Sequence, residues 1–240
     1  MNVAIIIAAG SGVRAKQDIP KQFISVNDKP IIIYTLEAFQ RHPQIDAIEV
    51  VCLDGWEAVL EAYAKQFGIS KVKWIVKGGK TGQESIRNGV FNLEQFCSKD
   101  DIAIIHDGIR PVTEESVISD VIVKCTKHGN AVTSLPYNEQ IFVKRDKDTT
   151  EEYIPRETLQ RVQTPQGYKY GKLLWAYQEA FEKNIGITGS SYTNTMMVDL
   201  GERLYFAAGS EKNIKITTME DMELFRAMLS MRNKMSEGSK

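Results

Sequence analysis

The feature that most constrains the fold is a regular alternation of short apolar runs with longer segments of helical periodicity. Continuous apolar runs are typical of strands buried on both faces, and apolar residues three or four apart are typical of helices that cover a sheet. The predicted strands are 3–8, 47–53, 72–76, 102–105, 131–135 and 203–207. The predicted helices are 30–41, 56–67, 83–96, 114–127, 172–183, 192–200 and 219–231. This alternation predicts an α/β fold with a mostly parallel sheet flanked by helices.

One segment interrupts the alternation. Residues 137–155 read YNEQIFVKRDKDTTEEYIP, which is polar apart from short alternating pieces. Such a segment is typical of a protruding hairpin rather than of a core element. The chain of 240 residues is long enough for one large α/β core. We therefore expect a single domain over 1–240, with an inserted β-arm at 137–155.

Composition excludes several classes of partner. The net charge is −1, so nothing global attracts nucleic acid or a membrane surface, and any anion site must be local. The apolar runs are too short to span a bilayer, and the first ten residues lack the basic start of a signal peptide. Three cysteines, Cys52, Cys97 and Cys125, lie far apart and form no CxxC pair. They indicate reduced thiols of a cytoplasmic protein and argue against a zinc site.

The loop after the first strand has the composition of a phosphate site. Small residues let backbone N–H groups approach an anion closely. Arg14 and Lys21 follow within a few residues, and Pro20 stiffens the chain that carries the lysine. The loop is neither a Walker A motif nor GxGxxG, and a plain strand-to-helix turn is the alternative. The small residues concerned are Ala8, Ala9, Gly10 and Gly12.

The fourth strand ends in IIHDGIRP, residues 104–111. Ligands of open α/β sheets bind at the carboxyl ends of the strands, where Asp107 is expected. A carboxylate beside phosphate-binding cations favours Mg²⁺, because this ion takes one or two carboxylates together with phosphate oxygens. Alternatively, Asp107 is a turn residue and Arg110 a solvated loop arginine. We interpret His106 as a structural histidine.

Three further motifs are weaker. KGGKTGQES, residues 77–85, is a turn that can present backbone groups and the Ser85 hydroxyl to a base. The sequence 164–166, Thr-Pro-Gln, predicts a sharp turn. In NIKITT, residues 213–218, Lys215 is expected in a short strand, and Thr217 or Thr218 is expected to cap the last helix.

Taken in order, these elements resemble the cytidylyltransferases that make CDP-methylerythritol and CDP-ribitol. The resemblance covers residues 3–230 and rests on AAGSGVR…PKQF, GG…ES, HDGIRP, TPQ and NIKITT. It implies a Rossmann-like sheet, CTP and a polyol phosphate as substrates, Mg²⁺ as cofactor, and a homodimer in which the 137–155 arm clasps the partner subunit.

The resemblance also implies roles for individual residues. It implies a CTP-binding loop made of Ala8, Ala9, Gly10 and Gly12. Cations at the phosphates would be Arg14, Lys21 and Lys215. Cytosine and ribose contacts would be Gly79 and Ser85. The acceptor would be bound by Asp107, Arg110, Arg156 and Thr164, with Asp107 also holding the metal and Arg156 acting across the dimer.

Two segments depart from the methylerythritol pattern. Glu139 and Gln140 stand where that group usually has Asp-Thr, and residues 191–195 read SYTNT instead of TDEAS. Gly82 replaces the usual arginine of the GGxxR segment. The first two segments shape the acceptor pocket of the family. We therefore favour a ribitol 5-phosphate type of acceptor, with methylerythritol 4-phosphate as the alternative.

Other functions stay open at this point. One is a nucleotidyltransferase that uses another base or a hexose phosphate, which GG…ES argues against weakly. Another is a non-catalytic nucleotide-binding protein, which the retained Arg14, Lys21, Asp107 and Lys215 disfavour. A hydride-transferring Rossmann enzyme is disfavoured because GxGxxG and a ribose-binding acid after the second strand are missing.

Overall fold

The computed structural model of the chain describes residues 1–10, 19–189 and 192–237, with side chains as far as residue 231. The strands in this part of the chain are β1 (Asn2–Ala8), β2 (Ser25–Val26), β3 (Lys29–Pro30), β4 (Ala47–Cys52), β5 (Val72–Lys77), β6 (Ile102–Asp107), β7 (Asn130–Pro136), β8 (Ile141–Val143), β9 (Glu152–Ile154), β10 (Gln160–Lys169) and β11 (Phe206–Ala208). The α-helices are α1 (Ile31–Arg41), α2 (Glu57–Gln66), α3 (Gly82–Asn92), α4 (Glu115–His128), α5 (Tyr170–Lys183), α6 (Thr193–Asp199) and α7 (Met219–Glu237).

Seven strands form the central sheet in the order β11-β7-β10-β6-β1-β4-β5. Neighbours are parallel except at β10, which pairs antiparallel with both β6 and β7. The predicted α/β fold with a mostly parallel sheet is confirmed. No helix in the described ranges is long and apolar enough to cross a membrane.

The sheet is buried on both faces because alternate residues of each strand enter different helix layers. Ala4 and Ile6 of β1 pack with α1, α2 and α4, whereas Val3 and Ile5 pack with α3, α5 and α6. This explains why β1 is a continuous apolar run and not an alternating one. Helix α4 ends at Gly129, whose φ of 88° gives the left-handed cap that glycine adopts at little cost.

A small third core lies under the carboxyl edge of the sheet. Helix α7 contributes Met222 and Phe225, which pack with Val26, Ile31 and Ile216. The ring of Phe225 meets Tyr34 edge-on, with 5.1 Å between the ring centres. This core joins the last helix to the segment before it, and that segment carries Lys215.

Strand β10 is the main correction to the predicted fold. The sequence predicts a sharp turn at 164–166, but these residues lie inside β10 in the middle of the sheet. The pairing of β10 with β7 shifts between Val162 and Gln166, and the Thr164–Pro165 peptide is cis. Proline cannot donate to a sheet ladder, so this irregularity is where the strand accommodates it. The turn residues therefore mark a distortion within a strand, not its end.

Residues 137–155 contain a separate antiparallel hairpin made of β8 and β9. Phe142 and Tyr153 face each other across this pair, and their side chains are 57% and 67% exposed. A two-stranded hairpin is only marginally stable in water on its own. The arm therefore presents apolar surface away from the core of this chain.

Candidate active site

The candidate site lies at the edge of the sheet where four parallel strands end. Ala8 of β1 is level with Cys52 of β4, and Cys52 is level with Lys77 of β5. On the other side of β1, Ile7 is level with Asp107, the last residue of β6. The loops that follow these strands are therefore neighbours, as expected for a ligand site of an open α/β sheet.

Asp107 is the centre of a cluster of charges. Its Oδ2 accepts a hydrogen bond from Arg110 Nε at 2.9 Å, and its Oδ1 lies 3.2 Å from Lys215 Nζ. The Thr164 hydroxyl also meets this carboxylate, 3.3 Å from Oδ2. Burial would raise the pKa of Asp107, but the charges of Lys215 and Arg110 outweigh it and lower this pKa to about 2. Asp107 is thus an ionised carboxylate held between two cations.

Arg110 is held more tightly than a solvated loop arginine. Its side chain is 11% exposed. Besides binding Asp107, it donates from Nη1 to the backbone carbonyl of Asn213 at 2.8 Å. The Asn213 side chain donates in turn to the Thr164 carbonyl at 2.7 Å. Arg110 therefore ties the end of β6 to residues 213–217, and its guanidinium orients Asp107.

Lys215 does not lie in the short strand that the sequence predicted. Residues 213–217 have no regular secondary structure. Their alternation still directs the side chains, because Ile214 and Ile216 pack into the small core with α7 while Lys215 faces Asp107. One backbone bond, from Ile216 N to the Ile109 carbonyl at 2.9 Å, docks the segment beside β6.

Lys21 reaches the same segment from the other side. It opens a 3₁₀ turn, Lys21–Phe23, directly after the buried Pro20. Its Nζ donates to the backbone carbonyl of Thr217. Lys21 is therefore anchored two residues from Lys215, although 194 positions separate the two lysines in the chain. The predicted cap is also present, since Thr218 Oγ1 accepts from the N–H of Asp221 at 3.2 Å.

The loop after β1 packs closely against the loop after β5. A methyl group on Gly78 would lie 2.3 Å from the Cβ of Ala9, so only glycine fits there. On the other side, a methyl group on Gly108 would lie 3.0 Å from the Ile7 carbonyl. The β1 loop lies between these two glycines. Its described residues Ala8, Ala9 and Gly10 are part of the predicted phosphate-binding loop.

The loop after β5 has the N–H groups of Gly78, Gly79 and Lys80 already occupied. Gly78 N–H donates to the Cys52 carbonyl at 2.8 Å. Gly79 N–H donates to Ser85 Oγ at 3.0 Å, and Lys80 N–H donates to a Glu84 carboxylate oxygen at 2.6 Å. Ser85 is buried, and its hydroxyl donates to the Thr81 carbonyl. What this loop can offer a ligand is therefore mainly carbonyl oxygen.

His106 is a structural residue, as the sequence predicts. It is fully buried, and its Nε2 lies 3.0 Å from the Thr113 hydroxyl. Burial lowers the pKa of His106 to about 3, although the adjacent Asp107 opposes this shift. The imidazole is therefore neutral at physiological pH, and its complete burial keeps it out of contact with a substrate.

Some predicted residues lie apart from this cluster or outside the described chain. Arg156 is more than half exposed, pairs with Glu157 at 3.3 Å and donates to the Asn138 carbonyl at 3.3 Å. These contacts place Arg156 at the root of the arm and not beside Asp107. Gly12, Arg14 and Ser191 lie outside the described residues.

Sequence reasoning missed several residues that build the site. Gln22 is buried beneath the β1 loop, and Gln163 and Asn213 are buried where residues 209–213 meet β10. For Gln22 a signal was available, because it directly follows Lys21 on a chain stiffened by Pro20. Asn213 and Gln163 join segments that are 50 positions apart in the chain. The sequence around each residue carries no signal that predicts this contact.

The residues present fit Mg²⁺ only as an ion that arrives with phosphate. Among the described side chains, those of residues 1–10, 19–189 and 192–231, no three histidine, cysteine or carboxylate groups lie together to hold a metal. Asp107 supplies a single carboxylate whose oxygens already face Arg110 and Lys215. Mg²⁺ needs few protein ligands when phosphate oxygens and water complete its shell. Asp107 is the residue of this cluster that could join such a shell.

The chain is similar to known cytidylyltransferases in both sequence and fold. It is 60% identical over 229 residues to the ribitol-5-phosphate cytidylyltransferase of Lacticaseibacillus paracasei, covering 95% of this chain and 98% of that one. It is 36% identical to the 2-C-methyl-D-erythritol 4-phosphate cytidylyltransferase of Clostridium novyi, covering 95% and 96%.

A solved structure of the Francisella tularensis 2-C-methyl-D-erythritol 4-phosphate cytidylyltransferase superposes with a TM-score of 0.78, at 26% identity, over 93% of this chain and 98% of that one. The model of one protein family matches residues 2–231, almost the whole chain. The resemblance inferred from the motifs is therefore confirmed, and the chain belongs to the IspD family, described as 2-C-methyl-D-erythritol 4-phosphate cytidylyltransferase.

Proposed function

We propose that this chain transfers CMP from CTP to ribitol 5-phosphate, or a closely similar polyol phosphate, and releases pyrophosphate. The observation that carries the proposal is that Lys21 binds the backbone at Thr217, two residues from Lys215, whose own ammonium pairs with the ionised Asp107. A site whose described residues supply several fixed cations and no titrating base suits a reaction between two anions. We further propose that it works in the cytoplasm, which the free Cys52, Cys97 and Cys125 support.

The chemical step needs positioned charge more than proton transfer. An oxygen of the acceptor phosphate attacks the α-phosphorus of CTP, and the bond from this phosphorus to the β-phosphate oxygen breaks, releasing pyrophosphate. The attacking phosphate is already an anion at pH 7, so no general base is required. Lys21 and Lys215 offset the repulsion between the substrates and the charge of the in-line transition state. Mg²⁺, which Asp107 would hold together with phosphate oxygens, would supply further positive charge to the phosphates.

Asp107 has two tasks in this proposal. Its carboxylate holds the Lys215 ammonium, 3.2 Å away, in one position. Because its pKa is about 2, it stays an acceptor of hydrogen bonds over the whole physiological range. A polyol hydroxyl can donate to such a carboxylate, and the nearby Thr164 hydroxyl offers a second polar contact.

The loop after β5 supports cytosine as the base. The N–H groups of Gly78, Gly79 and Lys80 are used within the protein, which leaves carbonyl oxygens for the ligand. The amino group of cytosine donates to a carbonyl, whereas the oxygen at the same position of uracil would face it without a proton. We therefore expect CTP to be used in preference to UTP.

The choice of acceptor rests on the comparisons and on the altered segments. The ribitol-5-phosphate relative is much more similar than the methylerythritol relative, at 60% against 36% identity. Glu139 and Gln140 are exposed at the start of the arm. The methylerythritol acceptor remains the second candidate, because the matching family model is described by that activity.

The test of this proposal is the release of pyrophosphate with CTP and Mg²⁺. We expect ribitol 5-phosphate to give a kcat/KM at least about tenfold above that of methylerythritol 4-phosphate. UTP in place of CTP is the matched control for the base. A preference for methylerythritol 4-phosphate would assign the second candidate. Binding of CTP without pyrophosphate release from either acceptor would show a non-catalytic protein.

We propose that the chain acts as a homodimer through the 137–155 arm. The exposed Phe142 and Tyr153 give the arm an apolar face that a second copy would cover. Arg156 at the root of the arm would then serve the acceptor phosphate in the partner's site. This accounts for an arginine that contacts no member of the Asp107 cluster within its own chain.

The Arg156→Ala variant tests this assignment. We expect the KM for the acceptor to rise about 10- to 100-fold while the KM for CTP stays unchanged, because one charge-assisted contact to a phosphate is lost. Arg41→Ala is the matched control, since Arg41 is also exposed and paired with a carboxylate, at Glu37. Initial rates over a grid of both substrate concentrations measure the effect. A selective loss of CTP affinity would contradict the assignment.

A further inference from the structure

The buried side chain of Gln22 is joined to the β1 loop by two hydrogen bonds. Gln22 is 3% exposed. Its Nε2 donates to the carbonyl oxygen of Ala8 at 2.7 Å and to that of Gly10 at 3.0 Å. An amide nitrogen carries two protons, so both are used on this loop. A buried polar group placed in this way is costly to replace, because each carbonyl would lose its partner.

These two bonds determine which backbone groups of the loop point inwards. Carbonyl oxygens carry partial negative charge and would repel a phosphate placed beside them. Gln22 draws the Ala8 and Gly10 carbonyls towards itself. Because the peptide is planar and trans, the N–H of Ala9 points away from the Ala8 carbonyl and hence away from Gln22. The amide of Gln22 therefore removes repulsive groups from the surface of the loop that an anion would approach.

The same 3₁₀ turn also positions a cation. Lys21, one residue earlier, donates to the Thr217 carbonyl. Phe23, one residue later, is buried and stacks on Trp56 with ring centres 4.6 Å apart. Three successive side chains thus bind the segment before α7, the β1 loop and the core. Gln22 therefore links the β1 loop to the turn that carries Lys21, and so fixes the loop relative to this lysine.

We propose that Gln22 is a positioning residue for the nucleotide triphosphate. It touches neither substrate in this scheme; it orients the Ala8–Gly10 backbone and fixes that backbone relative to Lys21. The inference rests on the proposed use of CTP and adds to it a residue that serves the nucleotide and not the acceptor. It therefore predicts an effect on CTP that is separate from any effect on the acceptor.

The experiment measures binding of CTP with Mg²⁺ by titration calorimetry, followed by steady-state rates, for two variants. Gln22→Met keeps the length of the side chain and removes both donors, and we expect the Kd for CTP to rise about 10- to 100-fold. The KM for the acceptor at saturating CTP should stay within about threefold of the wild-type value. Gln40→Met is the matched control, because the Gln40 side chain also holds backbone, accepting from the N–H of Lys71 at 2.8 Å.

Gln22→Glu adds a readout that a purely structural role would not produce. A protonated glutamic acid can still donate to one carbonyl, whereas the ionised carboxylate would face two carbonyl oxygens without a proton. Relative to wild type, we expect CTP affinity of this variant to fall about tenfold between pH 6 and pH 8.5. Gln22→Met should be weak at every pH. If Gln22→Met does not fold, the pH series of Gln22→Glu decides the question, because it compares one folded protein with itself.

Two results would overturn the inference. One is wild-type affinity for CTP in folded Gln22→Met, together with a wild-type pH dependence in Gln22→Glu. The other is an equal loss of CTP and acceptor affinity in parallel with a fall in melting temperature, which would show a general structural role. Failure of the proposed function looks different, because the wild-type protein itself would then not bind CTP.

Discussion

Replacing Lys21 with alanine is expected to lower kcat by about a thousandfold while leaving the fold intact. Lys21 is fixed at the start of a 3₁₀ turn, directly after Pro20, and its side chain lies against the segment that also carries Lys215. A cation placed in advance stabilises the charge of the transition state without reorganising during the reaction. The loss should appear in kcat at saturating CTP and acceptor, measured by pyrophosphate release.

The control for this prediction is Lys65→Ala. Lys65 is an exposed lysine in the last turn of α2, so its removal changes the net charge equally but should leave kcat unchanged. Melting temperatures of both variants should lie close to that of wild type. Near-normal turnover of Lys21→Ala would remove this lysine from the mechanism, and the proposed role of the 215–217 segment would then depend on Lys215 alone.

Much of this arrangement could be predicted from the sequence, for a definite physical reason. The parallel strands are buried on both faces, so their sequences are continuous apolar runs that stand out from everything else. Because parallel strands end at one edge, Ala8 and Asp107 could be placed together without knowledge of the pairing. Strand β10 could not be predicted, because its sequence is polar and contains Pro165. Its place between β6 and β7 depends on pairing with strands that are distant in the sequence.

The segment around Lys215 is predicted as a strand but has no regular secondary structure, and it shows what an alternating pattern indicates. Ile214 and Ile216 do point to one side and Lys215 to the other, as in a strand. The segment nevertheless lacks a ladder of backbone hydrogen bonds. Alternation thus reports which side of a segment is buried, and only the partner strand decides whether a sheet forms. The position of the Lys215 side chain depends on which side of the segment is buried, and not on whether a sheet forms.

The environment of Glu49 could not be predicted from the sequence. It lies in the middle of β4, in the run AIEVVC, and is fully buried. One carboxyl oxygen accepts from Asn92 Nδ2 at 2.6 Å, while Oε1 has no hydrogen-bond partner. A methyl group on Gly89 of α3 would lie 2.8 Å from that oxygen, so the carboxyl group is closely covered. Burial raises the pKa of Glu49 to about 8, against the opposing effect of Asn92.

Replacing Glu49 with glutamine should therefore change how stability depends on pH. In the unfolded chain the carboxyl group ionises near its usual pKa of 4.5, whereas the folded protein keeps the proton up to about pH 8. Between these values the folded state binds more protons, so the wild-type free energy of unfolding falls as pH rises. Glutamine does not titrate, and we expect Glu49→Gln to gain about 3 kcal/mol relative to wild type between pH 5 and pH 8.

Urea unfolding of both proteins at pH 5, 6.5 and 8 measures this difference directly. Every other titrating group is common to the two proteins, so the change in their difference with pH isolates Glu49. Glu61→Gln on the exposed surface of α2 is the matched control and should track wild type at each pH. Parallel curves for Glu49→Gln and wild type would mean that water reaches this carboxyl group. The contact between β4 and α3, the helix that follows the Gly78–Lys80 loop, would then be looser than the structure indicates.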